Sequence, residues 1–208
     1  MITLALDTST SQGSVALLGD GFVLLEERFS ADRSHSATLF TVLEKARALV
    51  SAIDVIAVGL GPGSYAGIRI AIAAALGLEL STGARLVGIP SVAVLETPSP
   101  AYLCVGDARR ETFYFTRVEQ GICIEGPLLT TEAELAQRLA GFPGIPVLAT
   151  EDVPGFPQAQ RALPSALLLA RLAAEDRGIV ARGDLEPIYL REPHITRPKP
   201  SPDIRPRP

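Results

Sequence analysis

The most constraining feature of this sequence is the run Gly61–Leu80, in which a glycine-rich turn leads directly into an apolar helix. An apolar predicted strand, Val55–Leu60, precedes the turn, and Ser64 is placed to act as the N-cap of the helix. A surface helix normally has one apolar stripe and a polar back, but this one carries no charge between Arg69 and Glu79. The helix is therefore either enclosed within its own domain or half of an interface with another protein.

The composition is that of a globular chain with no general attraction to nucleic acid. The 208 residues are 47% hydrophobic, which suffices for one large or two small domains. The formal net charge is -4, so the chain as a whole should not attract phosphates. The N-terminal segment MITLALDTS lacks the basic start of a signal peptide and is predicted to form the first strand. We expect a cytoplasmic protein that does not cross a membrane.

Hydrophobic patterning divides the chain into two units. The first unit is predicted to have the order β-β-β-α-β-α-β, which indicates a mixed sheet with helices packed on it. The segment Thr97–Pro100 interrupts the pattern, so we expect a first lobe at 1–99 and a smaller second lobe at 100–192. The second lobe is expected to repeat the first in abbreviated form, and the Pro-rich tail at 193–208 is expected to have no core of its own.

The helices have recognisable ends in the sequence. A helix opened by Asp32 or Ser34 is expected to carry apolar residues at 39, 43, 46 and 50 on one face. Thr131 and Glu134 have the spacing of a capping box for a helix that ends at Leu139. A last helix is expected from Ser165 to Arg177, with Gly178 as its terminator.

The first motif is LALDTSTSQGSVAL, in which Asp7, Thr8, Ser9 and Gly13 surround a predicted turn. Hydroxyls and turn amides could bind a phosphate there, and the carboxylate could hold Mg²⁺ through water. The alternative is a polar β-hairpin in which Asp7 accepts hydrogen bonds from its own turn, and common turn chemistry favours this alternative.

The second motif is GPGSYAGIR, Gly61–Arg69, and it fits neither common nucleotide-binding fingerprint. It lacks the lysine of a Walker loop, and its glycine spacing differs from that of the dinucleotide-binding turn. Two interpretations stay open: the helix N-terminus could bind an anion, or the glycines could let the helix approach a neighbouring backbone closely.

The third motif is VGDARRETFYF. Asp107, with Arg109 and Arg110 in the turn that follows, could face Asp7 across a cleft as a second phosphate-side loop. A charged hairpin tip is the alternative that we favour.

The residue inventory argues against catalysis by this chain. A helical metal site would need a second histidine after His35, but Leu39 stands four residues later and the other histidine is His194 in the tail. The chain also lacks a G-x-S-x-G motif and a Cys–His spacing suited to nucleophilic catalysis. We expect no catalytic residue and no metal site.

The segments LALDTST, RSHSATLF, GPGSYAGIRI, GDARRETFYF and PIYLRE occur in an order that resembles the bacterial TsaB family, also called YeaZ. The resemblance extends to Glu192 and implies an α/β, actin-like (ASKHA, RNase H-type) two-lobe fold. It also implies a non-catalytic subunit that pairs with the paralogue TsaD and acts with the ATPase TsaE. These proteins transfer threonylcarbamoyl to the adenosine beside the anticodon of tRNAs that read codons beginning with A. TsaD holds a metal with a helical pair of histidines, where this chain has His35 followed by Leu39.

The resemblance further implies that the helices Ser34–Val50 and Ser64–Leu80 pair with TsaD, or with a second copy when the chain is alone. The interface residues implied are His35, Leu39, Leu43, Ser64, Tyr65, Ile68, Arg69, Ala71, Ile72, Ala74 and Ala75. The alanines would allow close helix approach, and Leu39, Leu43, Ile68 and Ile72 would supply exposed apolar area.

Asp7, Thr8, Ser9, Gly13 and Asp107 would be a vestigial nucleotide site. It would bind no cofactor tightly and at most bind ATP or ADP weakly with Mg²⁺. Contact with tRNA would be indirect, through the complex. The alternative function is an actin-like ATPase or phosphotransferase acting alone.

Overall fold

The computed structural model describes residues 1–30 and 35–191. Its strands are β1 (Ile2–Asp7), β2 (Gln12–Gly19), β3 (Phe22–Ser30), β4 (Val55–Gly59), β5 (Arg85–Ile89), β6 (Ala101–Asp107), β7 (Phe113–Glu119), β8 (Ile122–Thr130), β9 (Val147–Ala149), β10 (Gln160–Arg161) and β11 (Ala181–Arg182). Its helices are α1 (His35–Ala48), α2 (Tyr65–Thr82), α3 (Glu132–Ala140) and α4 (Ala166–Ala174). The predicted opening of the first helix at Asp32 or Ser34 and the tail at 193–208 lie outside the described residues.

The strands form two sheets. The first has the order β11-β5-β4-β1-β2-β3, and the second has the order β10-β9-β6-β7-β8. In the first sheet β1, β2 and β3 are antiparallel neighbours, whereas β4 is parallel to β1 and β5 is parallel to β4. Helices α1 and α2 cover one face of this sheet, and α4 covers the other. The predicted mixed α/β class is confirmed.

The second sheet repeats the connectivity of the first. Strands β6, β7 and β8 form an antiparallel meander, α3 follows, and β9 returns parallel to β6 with β10 beside it. The difference lies between the last two strands of each repeat. The first repeat has α2 there, whereas residues 150–159 of the second form turns without a helix. The expected abbreviated repeat is thus present.

The end of the described chain belongs to the first sheet, which changes the predicted lobe division. Strand β11 pairs with β5 at the edge of the first sheet. The buried face of α4 packs on Ala5, Ala16 and Ala57, whose small side chains let the helix lie close to the strands. Residues 166–188, assigned by the prediction to the second lobe, therefore contribute to the core of the first, whereas Leu190 packs on the second sheet.

The helix caps follow the sequence closely. The Ser64 side chain caps α2, and Thr131 and Glu134 form the expected capping box of α3. Helix α4 begins after Ser165 as predicted but ends at Ala174, three residues before the expected Arg177. It ends there because Asp176 adopts a left-handed conformation (φ 59°), and its carboxylate accepts from Arg85 (2.6 Å) and Arg182 (2.9 Å). These arginines lower the pKa of Asp176 to about 2.

The place of α4 in the first core leads to a stability prediction. Leu169 is fully buried between α4 and the first sheet, so Leu169→Ala leaves a cavity and should lower the free energy of unfolding by about 3 kcal/mol. The control Leu129→Ala, on the outer strand β8 with 44% of its surface exposed, should change it by about 0.5 kcal/mol or less. Urea unfolding measures both, and equal losses would contradict this assignment of α4.

Candidate functional site

Asp7 lies at the carboxyl end of β1 and is bound by its own turn. Its Oδ1 accepts hydrogen bonds from the backbone amide of Ser9 (2.8 Å) and from the Ser9 hydroxyl (2.7 Å). The residue is 1% exposed, and its Oδ2 has no hydrogen-bond partner among the described residues. This is the arrangement of the hairpin interpretation, in which Asp7 stabilises a turn.

The second carboxylate oxygen of Asp7 is held in a polar pocket behind the turn. A Cβ at Gly59 would lie 1.8 Å from Asp7 Oδ2, so β4 passes against the carboxylate at a position where a side chain does not fit. The Ser91 hydroxyl lies beside it and accepts from the Gly61 amide (2.9 Å). Burial raises the pKa of Asp7 above its ordinary value of 3.8, and the hydroxyls of Ser91 and Ser9 oppose this rise.

The glycine turn before α2 packs directly against the turn that follows Asp7 and is hydrogen-bonded to it. The Thr8 hydroxyl donates to the carbonyl of Gly67 (2.7 Å), and the Ser64 amide donates to the carbonyl of Ser9 (2.6 Å). A Cβ at Gly67 would lie 1.9 Å from the Thr8 carbonyl oxygen, and one at Gly63 would lie 2.2 Å from that of Ser9. Of the two open interpretations of this motif, the observed geometry is close backbone approach.

Gly13 does not belong to this cluster. A Cβ at this position would lie 2.3 Å from the ring of Phe29, so Gly13 makes room for an aromatic side chain of the neighbouring strand.

A cleft of about 720 Å³ lies between the two sheets. Ser9 and Ser64 line it from the first lobe, and Asp107 and Arg109 line it from the β6–β7 turn. Asp107 accepts from the backbone amide of Arg109 (2.6 Å) and pairs with its guanidinium (3.0 Å). Asp7 does not line the cleft, so among the described residues Asp7 and Asp107 do not face each other across it. The contacts of Asp107 with Arg109 are those of the favoured charged hairpin tip.

The structure corrects the expected contribution of several interface residues. They lie in the chain's own core, beneath the helices rather than on their outer surface: Leu39, Leu43, Ile68, Ala71, Ile72, Ala74 and Ala75. Most of their apolar area is already buried on the first sheet, and only small parts of Leu43, Ile72 and Ala74 reach the grooves beside α2. Nothing is described for the His35 side chain, and Ser64 caps α2 at the mouth of the cleft.

The outer face of α2 is exposed and mostly apolar. It consists of Tyr65, Ala66, Arg69, Ala73, Leu76, Gly77 and Leu80, which we call the α2 outer face. A groove of about 840 Å³ separates this face from α1 on one side, with the half-exposed ring of Phe40 at its wall. A smaller groove of about 390 Å³ separates it on the other side from residues 186–189.

An aromatic cluster stands at the start of this face. The rings of Tyr65 and Tyr189 stack with centroids 5.5 Å apart, and the Arg69 guanidinium lies 5.2 Å from the centre of the Tyr65 ring. Arg69 also donates to the Tyr65 hydroxyl (2.7 Å). Tyr65 and then Tyr189 raise the pKa of Arg69 above its ordinary value.

Most residues of this surface are not among the interface residues predicted from the sequence. Tyr65 and Arg69 are expected interface residues, but Phe40, Ala73, Leu76, Gly77, Leu80 and Tyr189 are not. The repeat at 65, 69, 73, 76 and 80 follows one helix face and could have revealed the stripe on α2. No pattern in the sequence around Tyr189 predicts its position, because the fold brings it to Tyr65 from a distant part of the chain.

Within residues 1–30 and 35–191, α2 is the one helix with the length and mean hydropathy (1.2) of a membrane span, and a third of it is buried. Core helices of soluble proteins have the same properties. No three His, Cys, Asp or Glu side chains in these ranges lie together in a group able to hold a metal ion.

The two glycines of α2 provide a matched test of the close approach. Gly67→Ala should lower the free energy of unfolding by about 2 kcal/mol, because the new methyl group meets the Thr8 carbonyl. Gly77→Ala should raise it by about 0.5–1 kcal/mol, since no atom lies within 4 Å of the added Cβ. Denaturant unfolding of the two variants measures the difference, and a stabilising Gly67→Ala would show that the turns are not in contact.

Asp7 should make stability depend on pH. Because its pKa is raised in the folded state, the wild type should lose stability as the pH rises above 3.8 and through the folded value. Asp7→Asn should remove this loss, since the amide keeps the bond from Ser9 and can donate to Ser91. Unfolding at several pH values between 4 and 7.5 should show the variant to be the more stable near neutrality, with a difference that shrinks in acid. A difference independent of pH would contradict the raised pKa.

Comparison with known proteins places this geometry in a family. The sequence model described as TsaD, tRNA N6-adenosine threonylcarbamoyltransferase, matches residues 29–142. A Mycobacterium leprae protein of uncharacterised function is 29% identical over 92% of this chain, which spans 55% of that protein's length. The tRNA threonylcarbamoyladenosine biosynthesis protein TsaB of Haemophilus influenzae is 27% identical, with 90% of this chain and 92% of that protein aligned.

A solved structure supports the same family. YeaZ from Pseudomonas aeruginosa superimposes with a TM-score of 0.66 at 28% identity, over 86% of this chain and 94% of that one. This likeness confirms the expected actin-like, RNase H-type fold. Because the family model matches more than half of the chain, the chain belongs to the TsaD family, and its likeness to TsaB and YeaZ along most of its length assigns it to the TsaB (YeaZ) branch.

Proposed function

We propose that this protein is a non-catalytic subunit that pairs with a TsaD-like paralogue and acts with a TsaE-like ATPase in the cytoplasm. The complex transfers threonylcarbamoyl to the adenosine beside the anticodon of tRNAs that read codons beginning with A, and this chain contacts tRNA indirectly. Family membership and the likeness to TsaB support the pathway. The observation that carries the pairing role is the exposed, nearly uncharged α2 outer face.

The α2 outer face has the properties of a docking surface for helices. Helix α2 has 18 residues and is therefore about 27 Å long at 1.5 Å per residue, and the face runs along most of it as a ridge. Ala66, Ala73 and Gly77 have small side chains or none, so a partner helix can approach the α2 backbone closely. The grooves on its two sides can accept larger side chains in the manner of ridges packed into grooves. Together with the exposed side of α1, it can contribute to the roughly 800 Å² per partner of a standard interface.

The same face supports self-association when the partner is missing. An exposed apolar ridge in water is favoured to pair with any complementary surface, a second copy included. We therefore expect a concentration-dependent homodimer that a TsaD-like partner displaces.

Several positions argue for a supporting rather than a catalytic role. Leu39, which stands where the resemblance implies the second histidine ligand of TsaD, is fully buried in the first core. A carboxylate that serves a nucleotide through Mg²⁺ needs an oxygen that reaches solvent, whereas Asp7 is 1% exposed and bound by Ser9. These observations favour the subunit over the ATPase alternative. We propose that the chain binds no cofactor tightly and at most binds ATP or ADP with Mg²⁺ weakly. Calorimetric titration with Mg-ATP tests this, and micromolar binding lost in Asp7→Ala would overturn it.

The pairing role predicts the effect of one exposed substitution. Ala73→Glu places a charge in the middle of the α2 outer face and should weaken pairing with the TsaD-like partner about a hundredfold. Since Ala73 is exposed, the variant should keep the wild-type unfolding transition. Sedimentation measures pairing, and a reconstituted tRNA-modification assay with the TsaD-like and TsaE-like proteins should show a matching loss.

Two controls separate docking from folding. Ala136→Glu, at an exposed alanine of α3, should pair and support modification as the wild type does. Ala74→Glu, one residue along α2 but 5% exposed, should unfold the chain instead of testing its surface. Wild-type pairing and full modification by Ala73→Glu would overturn the proposal.

A further inference from the structure

Arg69 is an isolated charge on an otherwise uncharged docking surface. The α2 outer face has no other cation or carboxylate. No carboxylate of the described residues lies within 4 Å of its guanidinium, although ten other ion pairs occur in the same part of the chain. Among the described residues the exposed Arg69 guanidinium thus has no ion-pair partner, so it can bind an anion that another molecule supplies.

The orientation of Arg69 is fixed by aromatic residues rather than by a carboxylate. The Tyr65 ring lies beneath the guanidinium and its hydroxyl accepts a hydrogen bond, while Tyr189 stacks on Tyr65. Tyr189 is held in place because the Ile188 amide donates to the Leu60 carbonyl (2.8 Å) and Leu185 packs into the first core. The charge is therefore positioned before any partner binds, which reduces the ordering cost of binding.

The surroundings of Arg69 define what can bind beside it. Ile72, Ala73 and Leu76 form an apolar wall of the 390 Å³ groove beside Arg69. Glu186 and Pro187 line its other side, and Glu186 lies too far from the guanidinium to form an ion pair with it. A matching surface would insert an aliphatic side chain into this groove and place a carboxylate against Arg69. Arginine and tyrosine are also the residue types enriched where single side chains dominate the binding energy.

We propose that Arg69, held by Tyr65 and Tyr189, selects the TsaD-like partner through a carboxylate on the partner helix that packs against α2. This inference rests on the proposed function. The α2 outer face of a second copy carries no carboxylate, because the acids that flank it, Glu44 and Glu186, lie in the grooves at its sides. If two copies pair symmetrically through α2, two Arg69 side chains enter one interface and repel each other. The arginine thus favours the paralogue over self-association.

The test compares heterologous pairing with self-association in the same salt series. Wild type, Arg69→Gln and Arg69→Lys are measured by sedimentation against the purified TsaD-like protein and alone, at about 50 mM and about 500 mM salt. Arg69→Gln should weaken pairing with the TsaD-like protein about tenfold at low salt, and this pairing should no longer depend on salt. Self-association of the variant should be as tight as that of the wild type, or tighter. Arg69→Lys should restore the salt dependence but only part of the affinity, because an ammonium lacks the planar donor fork. Arg171→Gln, at an exposed arginine of α4, is the matched control and should behave as the wild type.

Two results would overturn the inference. One is wild-type heterologous affinity of Arg69→Gln at both salt concentrations, and the other is an equal weakening of both kinds of pairing. The Ala73→Glu variant distinguishes the two proposals. If Ala73→Glu loses the partner but Arg69→Gln does not, selection by Arg69 is wrong and the docking role stands. If Ala73→Glu also pairs normally, the docking role itself is wrong.

Discussion

The contact between two backbone turns determines where helix α2 begins. The turn after Asp7 and the glycine turn before α2 exchange hydrogen bonds through Thr8 and Ser64, at a separation that leaves no room for a side chain at Gly67. Helix α2 is therefore anchored at its first turn to the carboxyl end of β1. Its inner face then packs on the first sheet, and its outer face, with both grooves, points away from it. The two turns, which the sequence made candidates for binding a phosphate, thus hold helix α2 in position.

Local features of the fold could be predicted from the sequence, because they depend on neighbours along the chain. The caps at Ser64 and Thr131, the order of the strands and the repeat of the unit are of this kind. The roles of Gly63 and Gly67 could not be decided, because the atoms that fill their space belong to Thr8 and Ser9. For the same reason the exposed Ala73 could not be distinguished from the buried Ala74. Tyr189 becomes part of the surface only through long-range packing.

The two repeats of the fold have diverged in what they add to a common sheet. In the first repeat, the 18-residue helix α2 fills the connection between β4 and β5 and presents the α2 outer face. In the second, turns at 150–159 take its place and line the cleft. One chain consequently offers a single helix of this kind among its described residues. The two repeats thus share a strand pattern and differ in the connection before their last strand.

The covering of the first sheet by α4 has a consequence for synthesis of the chain on the ribosome. The strands of that sheet are complete by Ile89 except for β11, yet one of their faces is buried by residues 166–174. Until those residues leave the ribosome, Ala5, Ala16, Val87 and their neighbours remain an uncovered apolar surface. The first lobe to be synthesised is therefore the last to be completed, and a chain cut short before α4 exposes a face that favours aggregation.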